Sequence, residues 1–224
     1  MSALRDQDDV GELVHVSTDA ATVEANLSIP DGAEGIVLFA HGTGSSRHSP
    51  RNNFVADELR DGGLATLLID LMTPEEKELD RRTRQVRFDI DRLARRVVGA
   101  TDWLLEQEKT QNLNLGYFGS STGAAGALIA ATERPEAAKA VVSRGGRVDL
   151  AGDVLDQVRA PTLFIVGGND YRVLELNRQA LQRLTSEKSL EVVAGAGHLF
   201  EEPGALDEVA RLAREWFLEH LMSE

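Results

Sequence analysis

Short, nearly uninterrupted runs of aliphatic residues alternate along the chain with longer stretches in which apolar residues recur every three or four positions. These runs are too short and too uniformly apolar for surface helices, so they predict buried β-strands. Strands that alternate with helical stretches are typical of βα units around a mostly parallel sheet. The six predicted buried strands cover residues 36–40, 65–70, 113–118, 140–143, 162–166 and 190–193.

Residues 12–28 show a different pattern. Residues 12–17 and 22–28 alternate apolar and polar positions, as strands with one exposed face do. Residues 18–21 join them with a polar turn, so the two segments predict a hairpin at the edge of the sheet. The predicted α/β fold therefore has a sheet of about eight strands.

Two stretches have clear helical periodicity, one in the middle of the chain and one at its C-terminal end. No linker, repeat or low-complexity segment interrupts the chain, and its length suits one core, so we expect residues 1–224 to form a single domain. The apolar stripes consist of Val86, Ile90, Leu93, Val97, Thr101 and Leu104 in the first stretch, and of Leu206, Val209, Leu212, Trp216, Phe217 and Leu221 in the second.

The composition of the chain excludes several classes of partner and of functional site. The 224 residues carry a formal net charge of −13, which repels phosphate backbones and anionic membranes, so neither nucleic acid nor membrane is an expected partner. The chain has no cysteine, which excludes disulfides, thiolate metal sites and a cysteine nucleophile. The N-terminal residues lack the basic start and apolar run of a signal peptide, and no apolar stretch is long enough to span a bilayer, so we expect a cytoplasmic protein.

The motif GSSTG at 119–123 is the strongest candidate for chemistry. It matches G-x-S-x-G between a predicted strand and a predicted helix, with Ser121 as the serine in frame. A chain that reverses direction this sharply needs small neighbours, which Gly119 and Gly123 supply. Ser121 is the predicted nucleophile, and a plain turn before an alanine-rich helix is the alternative.

A serine nucleophile of this kind needs an acid and then a base on later strand-to-helix loops. Asp170 follows the predicted strand 162–166, and His198 follows the strand 190–193 in a glycine-rich loop. Asp149 is the main alternative acid, but an acidic residue at a helix start needs no catalytic explanation. Further carboxylates in the right part of the chain are Asp153, Asp156, Glu201 and Glu202.

An oxyanion produced by serine attack needs two amide donors. We expect one from Thr122, directly after the nucleophile, and one from the loop HGTGSS at 41–46, with Thr43 favoured over Gly44. That loop lacks the Lys-Ser/Thr end of a P-loop and the spacing of a dinucleotide site, so it is a poor candidate for nucleotide binding.

The chain contains four short motifs in the order HGTGSS, GSSTG, GGND and GAGH. With these motifs it resembles the α/β-hydrolase fold, in particular its small dienelactone-hydrolase-like members. The resemblance implies a three-layer sandwich in which Ser121, Asp170 and His198 act as nucleophile, acid and base. Dienelactone hydrolase itself uses cysteine, so its own activity is not carried over. The segment VVSRGGRVDL at 141–150 also resembles hydrolase domains linked to phosphoribosyltransferases.

Many relatives carry a cap after the strand equivalent to 140–143, but only about twenty residues lie before the next strand here, so we expect no cap domain and an open pocket. Residues 72–84 have two equally good interpretations: a mobile flap that covers the pocket, or the solvated start of a helix. A basic cluster lies beside the predicted site, and we hypothesise that it binds a carboxylate or phosphate of the substrate. Its members are Arg144 first, then Arg47, His48, Arg51 and Arg147, with pairing to acidic neighbours such as Asp149 as the alternative.

These features predict a serine hydrolase that cleaves small carboxylic esters through an acyl-enzyme intermediate and needs no metal or organic cofactor. The expected partner is a small-molecule ester. An ester with a negative charge would suit the basic cluster. Thioesters and lactones are the alternative substrates, and a non-catalytic small-molecule binding module is the alternative of another class. The sequence leaves the oligomeric state open.

Overall fold

The computed structural model describes residues 11–18, 21–42 and 44–222, without the side chain of Arg87. Its centre is an eight-stranded sheet with the order β1-β2-β4-β3-β5-β6-β7-β8. β1 and β2 form the predicted edge hairpin, β2 is also antiparallel to β4, and the other neighbours are parallel. The strands are β1 Glu12–Ser17, β2 Thr22–Ser28, β3 Gly35–Ala40, β4 Ala65–Ile69, β5 Asn114–Ser120, β6 Ala138–Arg144, β7 Thr162–Gly167 and β8 Lys188–Val193.

Helices cover both faces of this sheet, which gives the three layers expected of an α/β-hydrolase fold. The helices are α1 Pro50–Asp61, α2 Pro74–Thr83, α3 Ile90–Glu106, α4 Thr122–Glu133, α5 Tyr171–Arg183 and α6 Ala205–Leu221, with 3-10 segments at Val86–Phe88 and Val148–Gln157. Alternate residues of β3 show the division: Ile36 and Leu38 join the core under α3 and α4, while Val37 and Phe39 join the core under α1 and α6.

Two sequence expectations are wrong in detail. β8 is not a buried strand: it pairs only with β7, and Val192 is 43% exposed. The stripe that begins at Val86 is not one continuous helix, because Val86 lies in the preceding 3-10 segment. The Asp89 carboxylate accepts the Arg92 amide at 3.0 Å and caps the start of α3, which separates the two elements.

The segment weighed as a flap is helix α2. Thr73 caps it, and the Glu76 carboxylate both accepts a hydrogen bond from the Thr73 amide and binds Arg92 and Arg96 of α3. Lys77 binds the buried Asp70 at 2.8 Å. These contacts anchor α2 to the body of the protein, as the helical interpretation requires.

The connection between β6 and β7 consists of the 3-10 segment Val148–Gln157, which packs against α4 and α5. Within the described ranges no separate cap covers the carboxyl edge of the sheet, as expected. The same ranges contain no helix long and apolar enough to cross a membrane.

Candidate active site

Ser121 occupies a sharp turn between β5 and α4. Its backbone has φ 50° and ψ −123°, a conformation that is energetically unfavourable for residues other than glycine. Two hydrogen bonds hold the turn against the loop after β6: the Ser121 amide donates to the Arg144 carbonyl at 3.3 Å, and the Ser121 carbonyl accepts the Arg147 amide at 2.9 Å. The structure therefore places the predicted nucleophile at the carboxyl edge of the sheet in a strained turn.

The glycines of the motif are required by close backbone approach. A Cβ atom on Gly119 would lie 2.4 Å from the Ala124 Cα, and one on Gly123 would lie 2.2 Å from the Ala40 carbonyl oxygen. Gly42, on the loop after β3, approaches the same turn, because its Cβ would lie 2.7 Å from that of Ser121. This role of Gly42 was not predicted from the sequence.

His41 fixes the loop that passes Ser121. Its buried ring accepts the Leu71 amide at Nε2 (3.0 Å), so the ring proton is on Nδ1, which donates to the Gly42 carbonyl (2.9 Å). Burial lowers the pKa of His41. The ring is therefore neutral, and the nearby Asp70 carboxylate, 3.9 Å from Nε2, does not form an ion pair with it.

Asp170 and His198 are brought together across the ends of β7 and β8. His198 Nδ1 lies 2.6 Å from Asp170 Oδ2, a short charge-assisted hydrogen bond. The Asp170 side chain is 14% exposed and the His198 side chain 42%. The acid is therefore sheltered, while the imidazole remains accessible.

The loops that carry these two residues brace each other. The Asn169 amide donates to the Ala196 carbonyl at 2.9 Å, and its side chain donates to the Gly195 carbonyl at 2.8 Å. Gly167 makes this approach possible, because a Cβ there would lie 2.4 Å from the Ala196 carbonyl oxygen. The pairing of Asp170 with His198 is thus built into the backbone.

Gly145 is where the His198 ring approaches the Ser121 turn. This glycine, with φ 53°, follows the carbonyl that receives the Ser121 amide, and its Cβ position lies 3.6 Å from His198 Cε1. Phe200, which is 2% exposed, has φ 54° and anchors the His198 loop in the core. Ser121, Asp170 and His198 are therefore gathered at one edge of the sheet.

The alternative acids have other partners or positions. Asp149, in the first turn after β6, makes two hydrogen bonds to Arg147 at 2.9 and 2.8 Å. Asp153 pairs with Arg183 at 3.5 Å, and the Glu202 carboxylate accepts the Gly197 amide at 3.0 Å.

Of the predicted oxyanion donors, Thr122 is the first residue of α4, directly after Ser121. Thr43 lies outside the described residues. Gly44, the alternative, is exposed and has φ 70°.

The basic cluster divides into paired and unpaired side chains. Arg47 binds Asp70 at 2.6 Å and Glu24 at 2.7 Å, so its guanidinium serves an internal network rather than a ligand. His48 is exposed, and Arg51 pairs at 3.3 Å with the exposed Glu201. Arg144 makes no ion pair with any described carboxylate. In the described ranges, no group of three or more His, Asp or Glu side chains could hold a metal ion.

Comparisons with known proteins agree with this architecture. The sequence pattern of the dienelactone hydrolase family matches residues 23–221. A dienelactone hydrolase from Anabaena variabilis is 59% identical in a structural alignment that covers 94% of this chain and 98% of that one, with a TM-score of 0.93. Est1E from Butyrivibrio proteoclasticus shares the fold at 14% identity, with a TM-score of 0.78 over 93% of this chain and 98% of that one.

A third relative confirms the second resemblance seen in the sequence. A Mycobacterium tuberculosis protein, provisionally named a phosphoribosyl transferase, is 53% identical over 210 residues, which are 94% of this chain and 46% of that protein. The chain therefore spans about half the length of this curated relative. Together, the match over residues 23–221 and the Anabaena structure establish that the chain belongs to the dienelactone hydrolase family, whose members and structural neighbours support hydrolase activity.

Proposed function

We propose that the protein is a serine hydrolase that cleaves small carboxylic esters through an acyl-enzyme intermediate. The observation that carries the proposal is the 2.6 Å hydrogen bond between His198 Nδ1 and Asp170 Oδ2, with the His198 ring close to Gly145, which follows the residue that accepts the Ser121 amide. A nucleophile, a base and a residue that orients the base are the parts that acyl transfer requires.

In the proposed reaction, His198 removes the hydroxyl proton of Ser121 as the serine oxygen attacks the ester carbonyl. The proton of the neutral imidazole stays on Nδ1, which donates a hydrogen bond to the Asp170 carboxylate. Nε2 is therefore unprotonated and able to act as the base. His198 then protonates the departing alcohol, and a water molecule activated by the same imidazole releases the acid. Each proton that His198 takes is returned, so the enzyme ends the cycle unchanged.

The negative charge that develops on the carbonyl oxygen needs donors that are already in place. The N-terminal end of α4, where Thr122 follows Ser121, carries the positive end of the helix dipole. The loop held by His41 passes beside Ser121 at Gly42, and we assign the second donor to the next residue, Thr43. Both assignments follow from position along the chain.

A lactone is the second candidate substrate. It is an internal ester that the same steps would open, and the family name and the Anabaena relative favour it. Thioesters would follow the same steps. A cytoplasmic location remains a prediction from the sequence.

The test is steady-state hydrolysis of p-nitrophenyl acetate, butyrate and octanoate, with δ-valerolactone as a cyclic substrate, by wild type, Ser121→Ala and Asp170→Asn. We expect turnover of the short esters, none above background with Ser121→Ala, and a loss in kcat of about 10⁴-fold with Asp170→Asn. Asp149→Asn is the matched control and should retain activity. Turnover by Ser121→Ala equal to that of wild type would refute the proposal, and no turnover above background by wild type would favour the binding-module alternative.

A further inference from the structure

Asn177 is a fully buried amide on the apolar face of α5. The other buried residues of that helix are Val173, Leu174 and Ala180. The Asn177 Nδ2 group donates two hydrogen bonds, to the Val173 carbonyl at 2.8 Å and to the Gly146 carbonyl at 2.9 Å. Because both acceptors are carbonyl oxygens, they fix the orientation of the amide, with its nitrogen toward them. A buried polar side chain on an apolar face requires an explanation.

The two hydrogen bonds of Asn177 differ in what they connect. Val173 lies one helical turn earlier, so that bond stays within α5. Gly146 lies 31 positions earlier, in the loop that follows β6, so the second bond joins α5 to a distant segment. Helix α5 also begins directly after Asp170. One helix therefore connects the proposed acid with the loop after β6.

The Gly146 carbonyl and the Arg147 N–H belong to one planar peptide group. The group is trans, so its oxygen and its hydrogen point in opposite directions. Asn177 holds the oxygen on one side, and on the other side the Arg147 N–H donates to the Ser121 carbonyl at 2.9 Å. Asn177 thus reaches the turn of the proposed nucleophile through a single rigid unit.

The same relation continues for one more peptide group. The Ser121 carbonyl shares its plane with the N–H of Thr122, the proposed oxyanion donor. This carbonyl accepts the Ala124 amide at 3.2 Å from within α4 and the Arg147 amide at 2.9 Å from outside the turn. The shorter bond from outside the turn therefore helps to set the direction of the Thr122 N–H. Hydrogen bonds in such a chain also polarise one another, which strengthens the last donor.

The Ser121 turn needs support from outside, because a backbone with φ 50° persists only where surrounding contacts hold it. The loop after β6 gives this support and is itself fixed. The Gly145 amide donates to the Ile165 carbonyl of β7 at 2.8 Å, and a Cβ on Gly146 would lie 2.7 Å from the Ala124 Cβ of α4. The loop is thus held between β7, α4 and α5, and Asn177 supplies the bond to α5.

We propose that Asn177 is a positioning residue for the oxyanion donor: it holds the Gly146–Arg147 peptide group, which in turn orients the Thr122 N–H toward the developing negative charge. The inference rests on the proposed function. The negative charge on the carbonyl oxygen develops only in the transition state. Loss of the Asn177 hydrogen bond should therefore lower kcat more than it raises KM.

The first test measures hydrolysis of p-nitrophenyl butyrate by wild type, Asn177→Leu and Asn114→Leu. Asn114 is the matched control, because its Nδ2 also donates to a remote carbonyl, that of Leu221 at 2.9 Å, but at the amino end of β5. Both variants should lower the melting temperature by about 2–10 °C. Only Asn177→Leu should lower kcat, by about 10–100-fold, with KM changed by less than about threefold. A kcat of Asn177→Leu within twofold of that of the control would overturn the proposal.

A transition-state analogue separates positioning from a general loss of structure. Ser121 adds to the carbonyl of trifluoromethyl propyl ketone, its proton passes to His198, and the carbonyl oxygen becomes an oxyanion. The affinity for this ketone should fall in Asn177→Leu by about the same factor as kcat/KM, and stay within about twofold in Asn114→Leu. Equal affinities of the two variants would contradict the assignment.

The pH profile of kcat/KM tests whether Asn177 acts on the oxyanion donor or on the base. The hydrogen bond between His198 and Asp170 is not part of the proposed chain, so the pKa of His198 read from the profile should be the same in wild type and Asn177→Leu. A shift of that pKa would place the effect of Asn177 on the base and overturn the proposal.

Amide NMR measures the coupling without turnover. The Thr122 amide resonance should shift in Asn177→Leu and keep its position in Asn114→Leu, and an unchanged resonance in both would overturn the proposal. If Asn177→Leu does not fold, Asn177→Ser takes its place, because a serine hydroxyl bonds to the carbonyl four residues earlier and so retains only the bond within α5. A wild type that cleaves no ester would refute the proposed function, and the Thr122 resonance would still decide whether Asn177 orients that peptide group.

Discussion

His41→Ala is the perturbation whose effect follows most directly from the structure. The imidazole, which is 3% exposed, joins the Leu71 amide to the Gly42 carbonyl through hydrogen bonds of 3.0 and 2.9 Å. The substitution leaves one buried donor and one buried acceptor without a partner, at about 1–3 kcal/mol each. We therefore expect a loss of about 2–6 kcal/mol, a large part of the 5–15 kcal/mol that stabilises a typical domain.

The assay is urea denaturation followed by tryptophan fluorescence, which reports on Trp103 and Trp216. His48→Ala is the matched control, because that side chain is exposed on the same loop and its loss should change the free energy of unfolding by less than about 0.5 kcal/mol. We also expect kcat to fall in His41→Ala, since the loop beside Ser121 loses its anchor at Gly42. A stability loss no larger than that of the control would refute the reasoning.

The same residue predicts a pH dependence. Burial lowers the pKa of His41 in the folded state, so between that value and the ordinary value of about 6.5 the unfolded chain binds more protons. Stability should therefore rise with pH through this window and be lost as pH falls below about 6.5, with a slope of up to about 1.4 kcal/mol per pH unit. His41→Ala should remove this contribution, and an unchanged slope would contradict the assignment of a neutral ring.

Further predictions concern the turn and the core. Gly123→Ala should cost about 3 kcal/mol and abolish activity, because the new Cβ would lie 2.2 Å from the Ala40 carbonyl oxygen, whereas Gly126→Ala in the same helix meets nothing closer than 3.4 Å and should be neutral or stabilising in thermal denaturation. Tyr117→Phe should cost about 1 kcal/mol in urea denaturation and leave ester turnover unchanged, because the buried hydroxyl lies 2.8 Å from Thr101 Oγ1.

The succession of strands along the chain and the residues gathered at the carboxyl edge were predictable from local sequence. Uniform aliphatic runs marked the buried strands, and the placement of Asp170 and His198 after later strands indicated that they would meet. β8 was misread because Val192 is as aliphatic as a buried residue. Val192 is exposed because the order of the strands in the sheet places β8 at an edge, and this order is a long-range property.

Long-range contacts account for what the sequence did not reveal. Arg47 and Arg144 look alike in the sequence, but Arg47 meets Asp70 across 23 positions, while Arg144 meets no described carboxylate. His41 begins a recognised motif, yet its hydrogen bond to the Leu71 amide spans 30 positions. The Asp89 cap was readable, since an Asp before a helical stretch is a common start signal.

The most direct test of the account is peptide mapping by mass spectrometry after treatment with a fluorophosphonate, which reacts with activated serines. The account predicts one adduct per chain, on Ser121 and not on the adjacent Ser120, that is absent from Ser121→Ala and greatly slowed in Asp170→Asn. No adduct, or an adduct on another serine at the same rate in all three proteins, would contradict the claim that Ser121, His198 and Asp170 form a catalytic unit.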